Sequence, residues 1–119
     1  MKENIILNKS YIFALKIIKV YKILAFEKKE YVISKQVLRC GTSIEANVEE
    51  STGGQSSKDF FSKITIAYKE ARETHYWLRL LRDSGFLEKE ITAPLIKDCE
   101  ELLRILTAIQ KTVRKKLNY

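Results

Sequence analysis

The side chains best suited to chemistry in this 119-residue sequence are one histidine, two cysteines and several carboxylates. A di-metal site in a helical bundle needs Glu-x-x-His pairs, which place both ligands one turn apart on one face. The residue three positions before His75 is Arg72, and Glu73 points away from the histidine. The sequence therefore predicts no metal site and no other cofactor, and we expect His75 at the surface or at an interface.

Nucleophilic catalysis requires a base beside the nucleophile, and the sequence offers no such pair. Cys40 and Cys99 fall at core positions of predicted helices, where a free thiol behaves as a small apolar group. A disulfide between these helices is the alternative, and it would require oxidising surroundings. The stretch from Gly53 to Ser57 lacks the spacing of a phosphate-binding loop. We therefore predict that the protein is not an enzyme and has no small-molecule substrate.

The remaining candidates are carboxylates, since Glu70 and Glu73 lie one turn apart on one predicted helix and Glu49 and Glu50 share another. Paired acids can perform acid–base work. Cations are also available to pair with them, and a structural ion-pair network is the favoured interpretation. Asn47 occupies a core position, where we expect it to fix register as a buried asparagine does in coiled coils. The candidate cations are Lys35, Arg39, Lys69 and Arg72.

The spacing of apolar residues predicts an all-α protein. Its helices cover residues 8–26, 30–52, 57–84 and 91–117, and residues 1–119 form a single domain. Short connections between long helices favour an antiparallel up-down-up-down four-helix bundle. One proline and four glycines leave few interruptions, and the alternation typical of strands is scarce.

Three local signals refine these elements. Asn8 or Ser10 is expected to cap the first helix. Gly41 lies inside the second helix at a cost of about 1 kcal/mol relative to alanine, which predicts the close approach of another backbone. Gly53 or Gly54 is expected to take the left-handed conformation that ends this helix.

Aromatic residues outside the predicted core seams are numerous. A single bundle of this size cannot bury them all, and exposed apolar patches usually mark an interface. The sequence therefore predicts a homo-oligomer. The predicted interface residues are Tyr11, Phe61, Tyr68, Tyr76 and Trp77.

The chain is basic, with a net charge of +7, and residues 1–40 hold 9 Lys and Arg against 3 Glu. Such a charge attracts nucleic acid, an anionic membrane or an acidic partner, and it also simply maintains solubility. The predicted topology brings the start of the first helix and the end of the fourth to one pole. The predicted nucleic-acid-binding residues are Lys9, Lys16, Lys19, Lys22, Lys111, Arg114, Lys115 and Lys116.

The apolar stretch of residues 11–26 is interrupted by Lys16, Lys19 and Lys22. These charges argue against a signal peptide and against a membrane span. We therefore expect a cytoplasmic protein without a membrane partner.

The second and third predicted helices carry a recognisable pattern. The run QVLRCGTSIEANVEE at residues 36–50, followed by KE at 69–70 and YWL at 76–78, resembles the four-helix bundle family of 23S rRNA-intervening-sequence proteins. That family is similar to the accessory variability determinant of diversity-generating retroelements. The usual Asn-Ile-x-Glu-Gly run of the family reads NVEES here. The glycine is missing, so the resemblance does not define the residue at which the second helix ends. The signature positions are Gln36, Arg39, Ser43, Asn47, Glu50, Glu70 and Glu73.

The resemblance implies a ring-shaped pentamer of antiparallel bundles, and its retroelement relatives bind nucleic acid and a reverse transcriptase through a basic surface. We therefore expect a non-enzymatic oligomeric module that binds RNA or a ribonucleoprotein through its basic face. The alternative is a structural or partner-protein scaffold whose charge provides solubility only.

Overall fold

The computed structural model describes the backbone of residues 2–118 and the side chains of residues 5–118. It contains four α-helices: α1 (Lys2–Lys22), α2 (Ile33–Thr52), α3 (Ser57–Asp83) and α4 (Lys89–Leu117). A π-helical turn, Ile23–Glu27, extends α1. The predicted all-α class and number of helices are confirmed.

Contacts between neighbouring helices show that they run in opposite directions. Arg39 of α2 pairs with Glu73 of α3, and further along α2, Glu50 pairs with Lys63. The residue numbers fall along α3 as they rise along α2. The same inverse order holds between α3 and α4 and between α1 and α4. Both α1 and α3 pack on α2 and on α4. Therefore α1 and α3 lie at diagonal corners of the bundle, which measures 47 × 22 × 20 Å.

The first helix begins at Lys2, six residues before the predicted start at residue 8. Ile6 and Ser10 are fully buried and extend the apolar seam of Phe13 and Ile17 by two more positions. The Ser10 hydroxyl donates to the Leu7 carbonyl oxygen (3.2 Å) inside the helix, so the prediction of a cap at Asn8 or Ser10 is wrong. The row of buried residues therefore continues before Asn8 and Ser10, the polar residues that suggested a helix start.

The other predicted boundaries are closer to the structure. α2 begins at Ile33 and not at residue 30, because the Glu30 carboxylate precedes the helix and accepts hydrogen bonds from the backbone N–H groups of Val32 and Ser34. α3 begins after Ser56, whose hydroxyl accepts from the Asp59 N–H at 3.1 Å as an N-cap does. α4 begins at residue 89, two residues before the predicted start.

The two glycine predictions have different outcomes. A Cβ at Gly41 would lie 2.8 Å from Cγ1 and Cγ2 of Ile17, so a close approach does require glycine, but the neighbour is a side chain of α1 and not a backbone. The expectation for Gly53 and Gly54 is wrong, because Gly85 is the only glycine with a positive φ (82°) in the described chain. Gly54 instead provides room, since its Cβ would lie 3.2 Å from the carbonyl oxygen of Ser51.

Candidate interaction surfaces

The acidic pair of the predicted signature lies in an ion-pair cluster between α2 and α3. Arg39 Nη1 lies 3.2 Å from a Glu70 carboxylate oxygen, and Arg39 Nη2 lies 2.6 Å from Glu73. Trp77 Nε1 also donates to Glu73, at 3.0 Å. The hydrogen bond from Arg39 is the main reason that the pKa of Glu73 is lowered. Glu73 is therefore charged and paired, and Glu70 pairs with the same guanidinium group, an arrangement that suits a link between two helices better than proton transfer.

The Asn47 prediction is wrong in its detail. The Asn47 amide donates to the Ser43 carbonyl oxygen (2.8 Å) one turn earlier in its own helix, and Val48 takes the core position at 1% exposure. The Ser43 hydroxyl likewise donates to the carbonyl oxygen of Arg39 (2.6 Å), one turn earlier in the helix. These bonds link signature residues to one another along α2 and make no contact that sets the register between helices. Gln36 is exposed on the same helix.

The thiols of Cys40 and Cys99 are free and buried, as the sequence predicted, and form no disulfide. Burial raises the pKa of Cys40 to about 11 and that of Cys99 to about 12. Because the thiolate is the reactive form, both side chains are poor nucleophiles near neutral pH.

His75 lies at the surface between α3 and α4, where Nε2 is 3.0 Å from a Glu100 carboxylate oxygen. Within the side chains of residues 5–118, no group of three His, Cys, Asp or Glu residues is placed to hold a metal ion. This contact between His75 and Glu100 links α3 to α4.

Among the carboxyl groups of residues 5–118, Glu45 has the most strongly altered acidity. Burial, a hydrogen bond with Glu49 and the negative charge of Glu49 raise the pKa of Glu45 from its ordinary 4.5 to about 7. The folded state therefore holds a proton that the unfolded chain has released between about pH 4.5 and 7. Over that interval the free energy of unfolding decreases as the pH rises.

We predict that Glu45→Gln removes this pH dependence and stabilises the protein at pH 8 by about 1 kcal/mol, a value reduced because the carboxyl is partly solvated. The amide still donates a hydrogen bond but never ionises. Urea unfolding at pH 5 and at pH 8 measures the difference. Glu27→Gln, at an exposed position of the π-helical turn, is the matched control and should keep the wild-type pH dependence. An equal loss of stability between pH 5 and pH 8 in Glu45→Gln and wild type would refute the assignment.

The predicted basic stripe is divided into paired and unpaired lysines. Lys9 pairs with Glu101 at 3.3 Å and Lys16 with Asp98 at 2.8 Å, so these two cations of α1 hold α4. Arg114 lies over the Phe61 ring, 5.6 Å from its centroid. The other predicted cations are exposed and form no ion pair with any residue whose side chain is described. They are Lys19 and Lys22 near the end of α1 and, at the opposite pole, Lys111, Lys115 and Lys116.

The predicted interface aromatics also fall into two groups. Tyr11 of α1 and Tyr76 of α3 are about half exposed. Phe61, Tyr68 and Trp77 are partly buried and pack against the core of their own bundle. The five residues therefore do not form one patch, because Tyr11 lies on the helix diagonal to α3.

The outer face of α1 is an exposed apolar surface of which the sequence prediction included only Tyr11. Its large side chains are 36–54% exposed although the opposite side of the same helix forms the core. The signal was present in the sequence as apolar residues on both sides of this helix. We define the α1 outer face by Ile5, Tyr11, Ile12, Leu15 and Ile18.

A second missed feature is a cleft of about 840 Å³ between α3 and α4. Arg72 and Arg79 of α3 and Arg104 of α4 line it, together with His75 and Tyr76. The available signal was the seven-residue spacing of the two arginines in α3, which places them on one face two turns apart. We call this feature the arginine cleft.

No helix within residues 2–118 is long and apolar enough to cross a membrane. This agrees with the three lysines that interrupt the apolar stretch of α1.

The fold and these surfaces define a four-helix bundle with a paired acidic signature between α2 and α3 and exposed apolar and basic surfaces elsewhere. The chain belongs to the family of 23S rRNA-intervening sequence proteins, whose family profile matches residues 2–108. The resemblance recognised in the residues of α2 and α3 is thereby confirmed.

Among solved structures, the chain is similar to a protein of unknown function from the S23 ribosomal protein family of Bacteroides thetaiotaomicron. The two are 45% identical, and the match covers 93% of this chain and 99% of the other with a TM-score of 0.91. No curated protein shows significant similarity.

Proposed function

We propose that the protein is a non-enzymatic module that assembles with copies of itself through the α1 outer face and binds RNA through basic side chains. The observation that carries this proposal is the distribution of apolar residues around α1. A helix that is apolar on most of its circumference is normally buried on all sides. In the single bundle, Tyr11, Ile12 and Leu15 remain about half exposed, so a second copy is the occupant that we propose.

Association through this face is energetically reasonable. Full burial of a large apolar side chain contributes roughly 1.5–3 kcal/mol, so each half-exposed residue can contribute about 1 kcal/mol more. Each copy in a closed ring has two neighbours, and these contributions accumulate against the cost of association. The ring of five subunits that the family resemblance implies is the assembly that we propose.

The end of α4 supports RNA binding. Residues 102–119 contain five Lys or Arg and no Asp or Glu. Lys111, Lys115 and Lys116 are exposed there without an ion-pair partner among the described side chains. Such cations contact phosphates without reading bases, which gives affinity with little sequence preference. Repeated in each subunit of a ring, this cluster becomes a multivalent surface for a flexible anionic strand.

The scaffold alternative has its own supporting observation. Lys9 and Lys16 pair with Glu101 and Asp98 of the same chain, so part of the basic surface is already neutralised. If the remaining cations serve only solubility, the assembly binds a protein partner and no RNA.

We predict that a labelled single-stranded RNA of about 20 nucleotides binds the assembled protein and that its affinity depends steeply on salt. Three phosphate contacts give a slope of about −2 in log affinity against log salt, or at least a 15-fold loss between about 50 and 200 mM. Sedimentation velocity with the labelled RNA measures the affinity and the mass of the bound species together. The variant Lys111→Gln/Lys115→Gln/Lys116→Gln should bind more weakly with a smaller slope. Absence of binding, or an affinity independent of salt, would support the scaffold and reject the RNA proposal.

A further inference from the structure

The arginine cleft combines positive charge with an open surface. Arg72 and Arg79 are separated by two helical turns, about 10 Å along α3. The antiparallel arrangement brings Arg104 of α4 to the same cleft, where the contact between His75 and Glu100 (3.0 Å) joins the two helices. Three arginines from two helices therefore line one open cleft of about 840 Å³.

The carboxylates of the cleft are already engaged. Glu73 accepts hydrogen bonds from Arg39 (2.6 Å) and Trp77 (3.0 Å), and Glu100 contacts His75. None of the three cleft guanidinium groups forms an ion pair with a described side chain. The positive charges of Arg72 and Arg104 are consequently available to an anion from outside the bundle, whereas the charge of Arg79 also interacts with the Asp83 carboxylate.

Hydrogen bonds to neutral groups orient the guanidinium groups of Arg72 and Arg79. Arg72 Nη1 donates to the Tyr68 hydroxyl at 3.1 Å, and its guanidinium lies over the Tyr68 ring, 5.9 Å from the centroid. Arg79 Nε donates to the His75 carbonyl oxygen at 3.3 Å. Because a guanidinium carries five N–H donors, most of these donors remain free for an anionic ligand.

An aromatic side chain lies beside these cations. Tyr76 is 47% exposed and lines the cleft. Its other neighbour is the Trp77 ring, which it meets edge-on with the centroids 5.1 Å apart, so the tyrosine is supported from one side. Proteins that bind single-stranded nucleic acid combine a positive groove with exposed rings on which bases stack.

We propose that the arginine cleft binds single-stranded RNA, with phosphates held by Arg72, Arg79 and Arg104 and a base stacked on Tyr76. This inference rests on the proposed RNA binding. It identifies the site at which RNA binds and specifies that the RNA is single-stranded. Arginine is suited to the role because its planar guanidinium binds two phosphate oxygens at once. A duplex cannot offer an unstacked base to Tyr76, so the cleft favours single strands.

The location of the cleft is compatible with the proposed assembly. The α1 outer face and the α3 helix lie at diagonal corners of the bundle. The contact made by a subunit's own α1 outer face therefore does not cover the side of α3 that carries Arg72 and Tyr76.

The test measures fluorescence anisotropy with the full-length protein and with single- and double-stranded RNA of equal length. Arg72→Gln/Arg104→Gln should bind single-stranded RNA at least tenfold more weakly, with a salt slope about 1.4 smaller. Lys29→Asn/Lys35→Gln removes the same charge from exposed positions outside the cleft and should change affinity less than about twofold. Unchanged thermal melting of each variant shows that the bundle remains folded.

Tyr76 provides a readout that charge alone would not change. Tyr76→Ser should weaken binding of single-stranded RNA at least fivefold, as expected for the loss of one stacked base, and leave duplex binding unchanged. Tyr76→Phe keeps the ring and should bind as the wild type does.

The outcomes separate this inference from the proposed function. If the wild type binds RNA but the cleft variant and its charge-matched control lose equal affinity, the cleft proposal fails and RNA binding stands. Competition by polyglutamate as effective as that by unlabelled RNA would assign the cleft to an acidic peptide and overturn the proposal. If the wild type binds no RNA, both proposals fail.

Discussion

Leu15→Glu is expected to convert the assembled protein into monomers of 13.9 kDa. Leu15 lies at the middle of the α1 outer face, between Tyr11 and Ile18 on the next turns of the helix. Burying an unpaired carboxylate in an apolar contact costs about 3 kcal/mol or more, which is over a hundredfold in affinity at each contact. Size-exclusion chromatography with light scattering measures the mass directly.

The control for this substitution is Ile66→Glu on α3. Ile66 is also an exposed aliphatic residue, and it lies on the helix diagonal to α1. Its replacement should leave the mass of the assembly unchanged. The proposed interface is wrong if Leu15→Glu keeps the wild-type mass, or if Ile66→Glu dissociates the assembly to the same degree.

Gly41→Ala is expected to destabilise the protein by about 2 kcal/mol, although alanine is the better helix former by about 1 kcal/mol. The added methyl group would lie 2.8 Å from two γ-carbons of Ile17, a fully buried residue of α1. These carbons branch directly from the Ile17 Cβ, so the side chain cannot swing away without moving α1 against α2. Urea unfolding at one fixed protein concentration measures the loss, since the proposed assembly would make stability depend on concentration.

A double-mutant cycle identifies the cause of that loss. Ile17→Ala alone should cost about 3 kcal/mol because it leaves a cavity. In the double variant the new methyl group of residue 41 enters the space that Ile17 has vacated, so the combined loss should be about 2 kcal/mol less than the sum. Additive losses would mean that contact with Ile17 is not the reason for glycine at position 41.

The sequence predicts the helices well where caps and turns are local. Ser56 and Asp59 define the start of α3 through one hydrogen bond, and that start was predicted at the right residue. The start of α1 was predicted at the wrong residue. Ser10 is of a residue type that often caps helices, but here it is fully buried inside the helix. Whether a serine caps a helix or continues it depends on what packs around it, and local sequence does not specify this.

The candidate surfaces depend on helix orientation, which periodicity specifies only to within a fraction of a turn. A shift of one position along α2 places Val48, and not Asn47, in the core. The pairing of Lys9 and Lys16 with acids of α4 and the approach of Arg104 to Arg72 require the relative rotation and register of two helices. Packing of the whole bundle sets these quantities. The charge pattern along the chain therefore predicts the total charge but not which charged residues pair with each other.

The proposal of a self-assembling module is tested most directly by the mass of the unmodified protein in solution. Native mass spectrometry at micromolar concentration is expected to show a closed assembly whose mass is a multiple of 13.9 kDa, with five subunits. A single species of 13.9 kDa at every concentration would contradict the assignment of the α1 outer face to a second copy of this chain.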